Sequence, residues 1–311
     1  MVKKKLTNQQ KTRIAKKQQA FDKSNALIGL VITRGKKHAL IESLFDKSEV
    51  LCTIRADVNS IVVGDKVYWQ PEGVIESVLP RQNELGRPDR YQKYKLLVAN
   101  ISHIVIVVAP KPLFSELLID SYLVMANLLG IKVSIIFNKD DLDDNNNERL
   151  LRNMYSNLVD SFISHSQFRQ DSLLAVQDLL HNQVSVIVGQ SGVGKSTLIN
   201  LLLPGKELQT SPLSANHEFG QHTTSNAYYY HLSSSGAIID SPGVRSFGLW
   251  ELSKDKLLWG FSEFRPFIGK CKFRDCDHVT APQCAIRAAV DAEQIATLRY
   301  YNYLKLRENC L

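Results

Sequence analysis

Residues 189–197 read Gly-Gln-Ser-Gly-Val-Gly-Lys-Ser-Thr. This stretch fits G-x-x-x-x-G-K-S/T without departure: Gly189, Gly194, Lys195 and Ser196 occupy the fixed positions, and Gln190, Ser191, Gly192 and Val193 fill the loop between. The apolar run Val184–Val188 before it reads as a buried strand. The run Thr197–Leu203 after it reads as a helix, closed by Pro204-Gly205. A strand, a glycine loop and a helix in this order form a phosphate cradle. Glycines let successive backbone N–H groups converge on phosphate oxygens, and the helix N-terminus adds partial positive charge. Lys195 is expected to reach the β- and γ-phosphates and Ser196 to ligate Mg²⁺. The loop implies a nucleoside triphosphate and an α/β sheet, without saying which base.

Two further motifs stand at the ends of apolar strands, where open α/β sheets bind ligands. Ala237–Asp240 runs into Asp240-Ser241-Pro242-Gly243, a D-x-P-G sequence. There Asp240 is expected to hold the Mg²⁺ water shell and Gly243 to sense the γ-phosphate. Ile131–Phe137 runs into Asn138-Lys139-Asp140-Asp141, an N-K-x-D sequence. A carboxylate at Asp141 can accept from guanine N1–H and the exocyclic amine, a donor pair that adenine lacks. Asn138 is expected at the O6/N7 edge, and the Lys139 stem against the base. Unsatisfied buried groups penalise the wrong base, so GTP is expected over ATP. Ser164-His165-Ser166 follows another strand, where a backbone N–H could meet guanine O6.

The motif order is permuted. N-K-x-D precedes the phosphate loop and D-x-P-G comes last, whereas Ras-like GTPases begin with the phosphate loop. The same sheet can form from a permuted chain, because termini lie at the surface and near each other. The switch-like segments near 208–225 and 243–250 would then lead toward the C-terminal part. Val244 stands where many GTPases carry a water-orienting glutamine, so slow intrinsic turnover is expected. His222 is the candidate helper, and either Thr223 or Thr224 is expected to offer a hydroxyl to Mg²⁺.

Around this core the chain divides into four expected parts: a basic flexible extension (1–24), a barrel with linker (25–95), the permuted nucleotide domain (96–250) and a helical metal-binding part (251–311). Residues 1–24 carry eight basic residues against Asp22 alone, which accounts for the whole formal net charge of +7. Such a tail suits a polyanion or merely a solvated terminus. Five short β-type runs between Leu27 and Leu79 imply a small antiparallel barrel, of the oligonucleotide-binding (OB) or the SH3-like kind. Pro80–Lys95 reads as a connector. Its Arg81, Arg87, Arg90, Lys93 and Lys95, with Tyr91 and Tyr94, would also suit RNA. From Leu96 strands and helices alternate as in a parallel α/β sheet. No run approaches the about 20 apolar residues of a membrane span and no secretory signal is evident, so a monomer in the cytoplasm with no membrane partner is expected.

Three of the five cysteines cluster with a histidine: Cys271-x4-Cys276-x-His278-x5-Cys284. Three thiolates and one imidazole make a closed tetrahedral set for one structural Zn²⁺. Lys270, Lys272, Arg274 and Arg287 surround it, and helices are expected over Ala285–Val290 and Ala292–Arg307.

The permuted order, this cluster and the preceding barrel together resemble the ribosome small-subunit-dependent GTPase A family (RsgA, also called YjeQ). The likeness spans nearly the whole chain, from Leu6–Gln10 through Asn138–Leu142, Gly189–Thr197, Gly220–Thr224, Asp240–Gly243 and Cys271–Cys284 to Ala285–Val290. It implies a late assembly factor of the 30S ribosomal subunit that binds 16S rRNA and hydrolyses GTP faster on the subunit. Gln221 departs from the family's frequent basic residue and Ser225 from its threonine. Val244 agrees with the family and favours His222 as the helper. The alternative is a GTP-regulated RNA-binding switch acting on a non-ribosomal partner.

Overall fold

A computed structural model describes residues 26–203 except 59, 90 and 92, residues 227–241, and residues 252–310 except 309. The basic tail, the 208–225 loop with His222, Thr223 and Thr224, and Gly243 with Val244 lie outside the described residues.

The N-terminal strands β1 (Leu27–Arg34), β2 (His38–Ser43), β3 (Glu49–Ile54), β4 (Lys66–Gln70) and β5 (Val74–Val78) close a barrel in the order β1-β2-β3-β5-β4 and back to β1. The barrel is antiparallel, as expected, at every pairing but one. β3 and β5 run parallel, with Thr53 opposite Val74 and Ile54 opposite Ile75. That closure is the strand order of the OB barrel. Alternating apolar residues fill it: Val31, Ala39, Ile41, Cys52, Val67, Trp69 and Ile75 form one buried cluster. β1 serves two partners on one edge with successive segments, and its pairing with β2 on the other edge shifts register between Val31 and Thr33. Leu27–Leu30 pair with β4, and Thr33 reaches beyond the barrel.

Pro80–Lys95 is not an irregular connector. Strand β6 (Glu84–Pro88) pairs antiparallel with β7 (Tyr94–Ala99) as a two-stranded ribbon. The barrel is fastened beside it. Arg81 clasps the fully buried Asp65 through Nε (2.7 Å) and Nη2 (2.9 Å), and Asn100 Nδ2 donates to Gly64 O at 2.9 Å.

The nucleotide-type sheet follows: β8 (His103–Val108), β9 (Lys132–Asn138), β10 (Ser161–His165), β11 (Val184–Val188), β12 (Tyr228–His231) and β13 (Ala237–Asp240). Their spatial order is β10-β9-β8-β11-β13-β12. All neighbours are parallel except β12, which pairs antiparallel with β13. Every residue of β8 is buried, as expected for a central parallel strand covered on both faces. Helices α1 (Glu116–Leu129), α2 (Asn147–Tyr155), α3 (Gln170–Leu180) and α4 (Lys195–Leu202) connect the strands. Ser115 caps α1 by accepting from the Leu118 N–H, and Gly130 ends it in the left-handed region.

β12 also meets the barrel. Thr33 pairs with Tyr228, the Thr33 hydroxyl donates to Ala227 O at 2.9 Å, and His231 Nε2 lies 2.7 Å from Glu42 Oε2. One eleven-stranded sheet therefore runs through both parts. The strand that follows the switch-like loop docks on the barrel, as well as leading onward to β13.

The C-terminal part consists of α5 (Lys254–Gly260), a 3₁₀ segment (Ser262–Phe267), α6 (Ala285–Asp291) and α7 (Thr297–Arg307). The long helix expected from Ala292 starts only at Thr297. The amides of Gln294 and Ile295 both return to Ala289 O, and Glu293 sits at φ 56°, which turns the chain before α7. Phe261, Phe264 and Tyr303 pack ring against ring in this part's own core.

That core is docked on α1. Arg299 of α7 is almost fully buried. It donates to Glu263 through Nε (2.6 Å) and Nη2 (3.2 Å), and Nη1 pairs with Asp120. Asp120 also accepts from Tyr155 Oη (2.9 Å) and Asn302 Nδ2 (2.7 Å). Burial pushes its carboxyl pKa up, against the pull of Arg299. Two turns further along α1, Asn127 Nδ2 donates to Gly260 O at 2.8 Å. Gly260 is needed there, since a Cβ would stand 2.6 Å from Val124 Cγ1.

Candidate functional site

Because β8, β9, β10, β11 and β13 are parallel, their C-terminal ends share one edge. It gathers Asn138, His165, Gly189 and Asp240. The phosphate-type loop turns from β11 into α4 on glycines with positive φ: Gly189 at 136°, Gly192 at 83° and Gly194 at 94°. Two of them are fixed by close approach as well. A Cβ on Gly189 would stand 2.1 Å from Val107 O, and one on Gly194 2.3 Å from Asn138 Nδ2. The spacing of the two glycines thus answers two different neighbours, β8 on one side and the N-K-x-D segment on the other.

Lys195, the first residue of α4, is buried, and its ammonium donates to Gly189 O at 2.7 Å and to Gln190 O. Ser191, Gly192, Ser196 and Thr197 are exposed along the loop, and Val193 is buried beneath it. Tyr122, fully buried on α1, takes a hydrogen bond from the Gly189 backbone, and burial pushes its phenol up to about 12. The sequence offered no signal for Tyr122 beyond helical spacing.

The N-K-x-D segment is bound to this loop. Asn138 Nδ2 donates to Val193 O at 2.8 Å, and Lys139 Nζ donates to Gly192 O at 2.7 Å and Lys111 O at 3.3 Å. Lys139 takes φ 60°, and Asp140–Leu142 form a 3₁₀ turn. Asp140 pairs with Arg169, while Asp141 is exposed and has no hydrogen-bond partner among the described residues. Two polar residues three apart are thus divided between the protein and solvent.

A backbone N–H of the segment Ser164-His165-Ser166 was expected to be able to meet guanine O6; the Ser166 N–H lies 3.4 Å from Ser172 Oγ. The His165 ring is the more informative group: buried, opposite Asn138 in the parallel register, its Nδ1 lies 2.7 Å from Asn138 Oδ1. Burial holds its pKa below the ordinary imidazole value. Asp240 ends β13 on the same edge.

The Cys271, Cys276, His278 and Cys284 ligand atoms all lie within 4.8 Å of one another. Cys271 Sγ and Cys284 Sγ are 4.0 Å apart, and His278 Nδ1 is 3.5 Å from each. A tetrahedral ion with Zn–S about 2.3 Å and Zn–N about 2.0–2.1 Å requires edges of about 3.8 Å and 3.6 Å, so the cluster fits one. Its surroundings fix the ligands. The Ala285 N–H donates to Cys271 Sγ at 3.3 Å, Tyr300 Oη donates to His278 O at 2.7 Å, and Asp277 Oδ1 gathers the amides of Val279, Thr280 and Ala281. Those bonds hold the Asp277 carboxyl well below the usual carboxylate range.

Fold and site define a circularly permuted P-loop GTPase-type protein, set between an OB-type barrel and a helical part with a Cys₃His cluster that could bind zinc. The sequence profile of the RsgA GTPase family matches residues 78–250. The small ribosomal subunit biogenesis GTPase RsgA of Actinobacillus succinogenes is 41% identical over 290 residues, covering 89% of this chain and 83% of that protein. Its namesake from Yersinia pseudotuberculosis is 40% identical over 296 residues, 90% of this chain and 84% of that one. Among solved structures, YjeQ from Thermotoga maritima superposes with a TM-score of 0.75 at 29% identity, over 91% of this chain and 98% of that chain. YloQ, described as a circularly permuted GTPase, gives 0.69 at 25%, over 93% and 97%. The chain belongs to the RsgA GTPase family.

Proposed function

We propose that this chain is a GTPase of small ribosomal subunit biogenesis. It binds the 30S subunit through 16S rRNA, hydrolyses GTP to GDP and phosphate, and is stimulated by the subunit. The observation that carries the GTP reading is the junction of the N-K-x-D segment with the phosphate-type loop. Asn138 and Lys139 are tied to Val193 and Gly192, which supports reading the exposed Asp141 carboxylate, three residues on from Asn138, as part of the same nucleotide site. Relatives sharing about two residues in five over most of the chain are named for small ribosomal subunit biogenesis, which supports the ribosomal partner.

In this reading Gly189–Thr197 cradle the phosphates. Lys195 leaves its own loop carbonyls for the β- and γ-phosphates. Ser196, Asp240 and Thr223 or Thr224 serve Mg²⁺, Gly243 senses the γ-phosphate, and Asp141 with Asn138 selects guanine. Mg²⁺ would supply charge neutralisation on the phosphates when bound. His222 is the proposed aid to the attacking water. Zn²⁺ on Cys271, Cys276, His278 and Cys284 is structural, since four protein ligands leave no open position. The domain limits expected from sequence are kept, with the barrel and the basic tail offered to rRNA. The protein acts as a monomer in the cytoplasm; among the described residues no helix is long and apolar enough to cross a membrane.

Co-sedimentation tests the partner. With a non-hydrolysable GTP analogue the chain is expected to pellet with 30S and not with 50S subunits. Equal recovery with both, or with neither, would favour the non-ribosomal switch.

A further inference from the structure

The end of β10 holds a group with no part in the reading above. His165 is 1% exposed and stands opposite Asn138 across the parallel pair. Its Nδ1 is 2.7 Å from Asn138 Oδ1, and its Nε2 is buried with no hydrogen-bond partner among the described residues. On the other side of the same amide, Nδ2 lies 2.8 Å from Val193 O. These contacts fix every proton. Val193 O can only accept, so the amide nitrogen must face the phosphate-type loop. The amide oxygen therefore faces the imidazole, and it too can only accept. Nδ1 must carry the hydrogen, and Nε2 is left as a bare lone pair. That is the neutral tautomer that burial favours.

The amide has two N–H donors, and Val193 O takes one. The second stays available on the side where Asn138 is expected to meet the O6/N7 edge, where guanine presents only acceptors. Had the amide turned over, its oxygen would face both Val193 O and those acceptors, with three lone-pair groups converging. Two contacts hold that orientation before a ligand arrives: Val193 O takes one amide N–H, and the imidazole Nδ1–H engages Oδ1 from the other side.

We propose that His165 is a positioning residue for guanine recognition: its Nδ1–H locks the Asn138 amide with the NH₂ toward the phosphate-type loop and the base. The inference rests on the guanine reading of the site. It differs from the expectation that a backbone N–H of this segment could meet guanine O6. The requirement is for a donor at the Nδ1 position, not for an imidazole as such. Asparagine places its amide N–H close to where histidine places Nδ1–H, and glutamine places its own closer to Nε2. A residue that merely filled space would rank these replacements by size. A residue that holds Asn138 ranks them by donor position.

The test is fluorescent-GDP binding by full-length wild-type, H165F, H165N and H165Q proteins, with melting of each protein measured alongside. GDP affinity is expected to fall about ten- to a hundredfold in H165F and H165Q and to be largely retained in H165N. Unchanged affinity in H165F overturns the inference. So does an H165N loss as large as that of H165F, at whatever melting temperature. Wild-type protein that binds no guanine nucleotide overturns the guanine reading itself and the inference with it, a result separable from the variant series because it appears before any substitution.

Discussion

Replacing Asp141 by asparagine separates base recognition from folding more cleanly than any other change at this site. The carboxylate is exposed on the 3₁₀ turn Asp140–Leu142 and makes no hydrogen bond among the described residues, while its neighbour Asp140 holds Arg169. D141N therefore removes no hydrogen bond or ion pair among the described residues, and stability is expected to stay within about 0.5 kcal/mol of wild type. The ligand side differs. A carboxylate accepting from guanine N1–H and the 2-amino group makes two charge-assisted bonds, each about 1.5–3 kcal/mol. Asparagine keeps one acceptor and turns a donor toward the amine. The expected loss is about 3–6 kcal/mol, or about 10²- to 10⁴-fold in GDP affinity. Xanthine carries a carbonyl where guanine carries that amine, so the variant's N–H finds an acceptor. Competition of GDP, XDP and ADP against a fluorescent nucleotide, with Mg²⁺ present, reads the effect. GDP should weaken, XDP should strengthen, and ADP should stay poor throughout. A GDP loss under tenfold, or a parallel loss of stability, would refute the reasoning.

Three further outcomes follow from buried charge, metal and protonation. R299M leaves Asp120 and Glu263 without their guanidinium inside the α1–α7 contact, so urea unfolding should show a loss of about 3–5 kcal/mol, and R299M with D120N should lose less than R299M alone. Purified protein should carry one zinc per chain; stripping it with a chelator should expose Cys271, Cys276 and Cys284 to a thiol reagent, with the nucleotide site still binding GDP. His103 is buried between Ser134 and Ser185, with its pKa lowered to about 4 by desolvation. A depressed histidine stabilises the fold fully above its unfolded pKa of about 6.5, and this contribution fades as pH falls toward 4, by about 3 kcal/mol. Denaturant midpoints measured from pH 7 to 4.5 should show that slope, and H103Q should flatten it.

The parts of the fold that were legible in the sequence are those in which local pattern and tertiary role coincide. β8 is apolar throughout because both faces are covered, and α1 carries its own start and stop in Ser115 and Gly130. The phosphate-type loop and the N-K-x-D segment could be paired on paper because parallel strands end at a common edge. Features set by distant partners were not legible. The β6–β7 ribbon turns through a stretch dense in basic and tyrosine residues, Arg87 to Lys95, so it reads as a connector although Leu85 and Val98 are buried in the core. Arg299 looks like a surface residue on an amphipathic helix, since its partner Asp120 lies on another element far away in sequence. The parallel β3–β5 closure leaves no mark in either strand. His165 sits in a short polar triplet, and only the pairing with β9 brings it opposite Asn138, within hydrogen-bond reach of its amide. The clearest signal for it was the strand end itself, at the same edge as the other motifs.

Phosphate release from GTP, measured with and without purified 30S subunits, tests the central claim most directly. The expected result is slow turnover of GTP by the chain alone, no turnover of ATP, and a rate that rises with 30S concentration until it saturates. GTP turnover that is indifferent to 30S subunits, or release from ATP as fast as from GTP, would contradict the account.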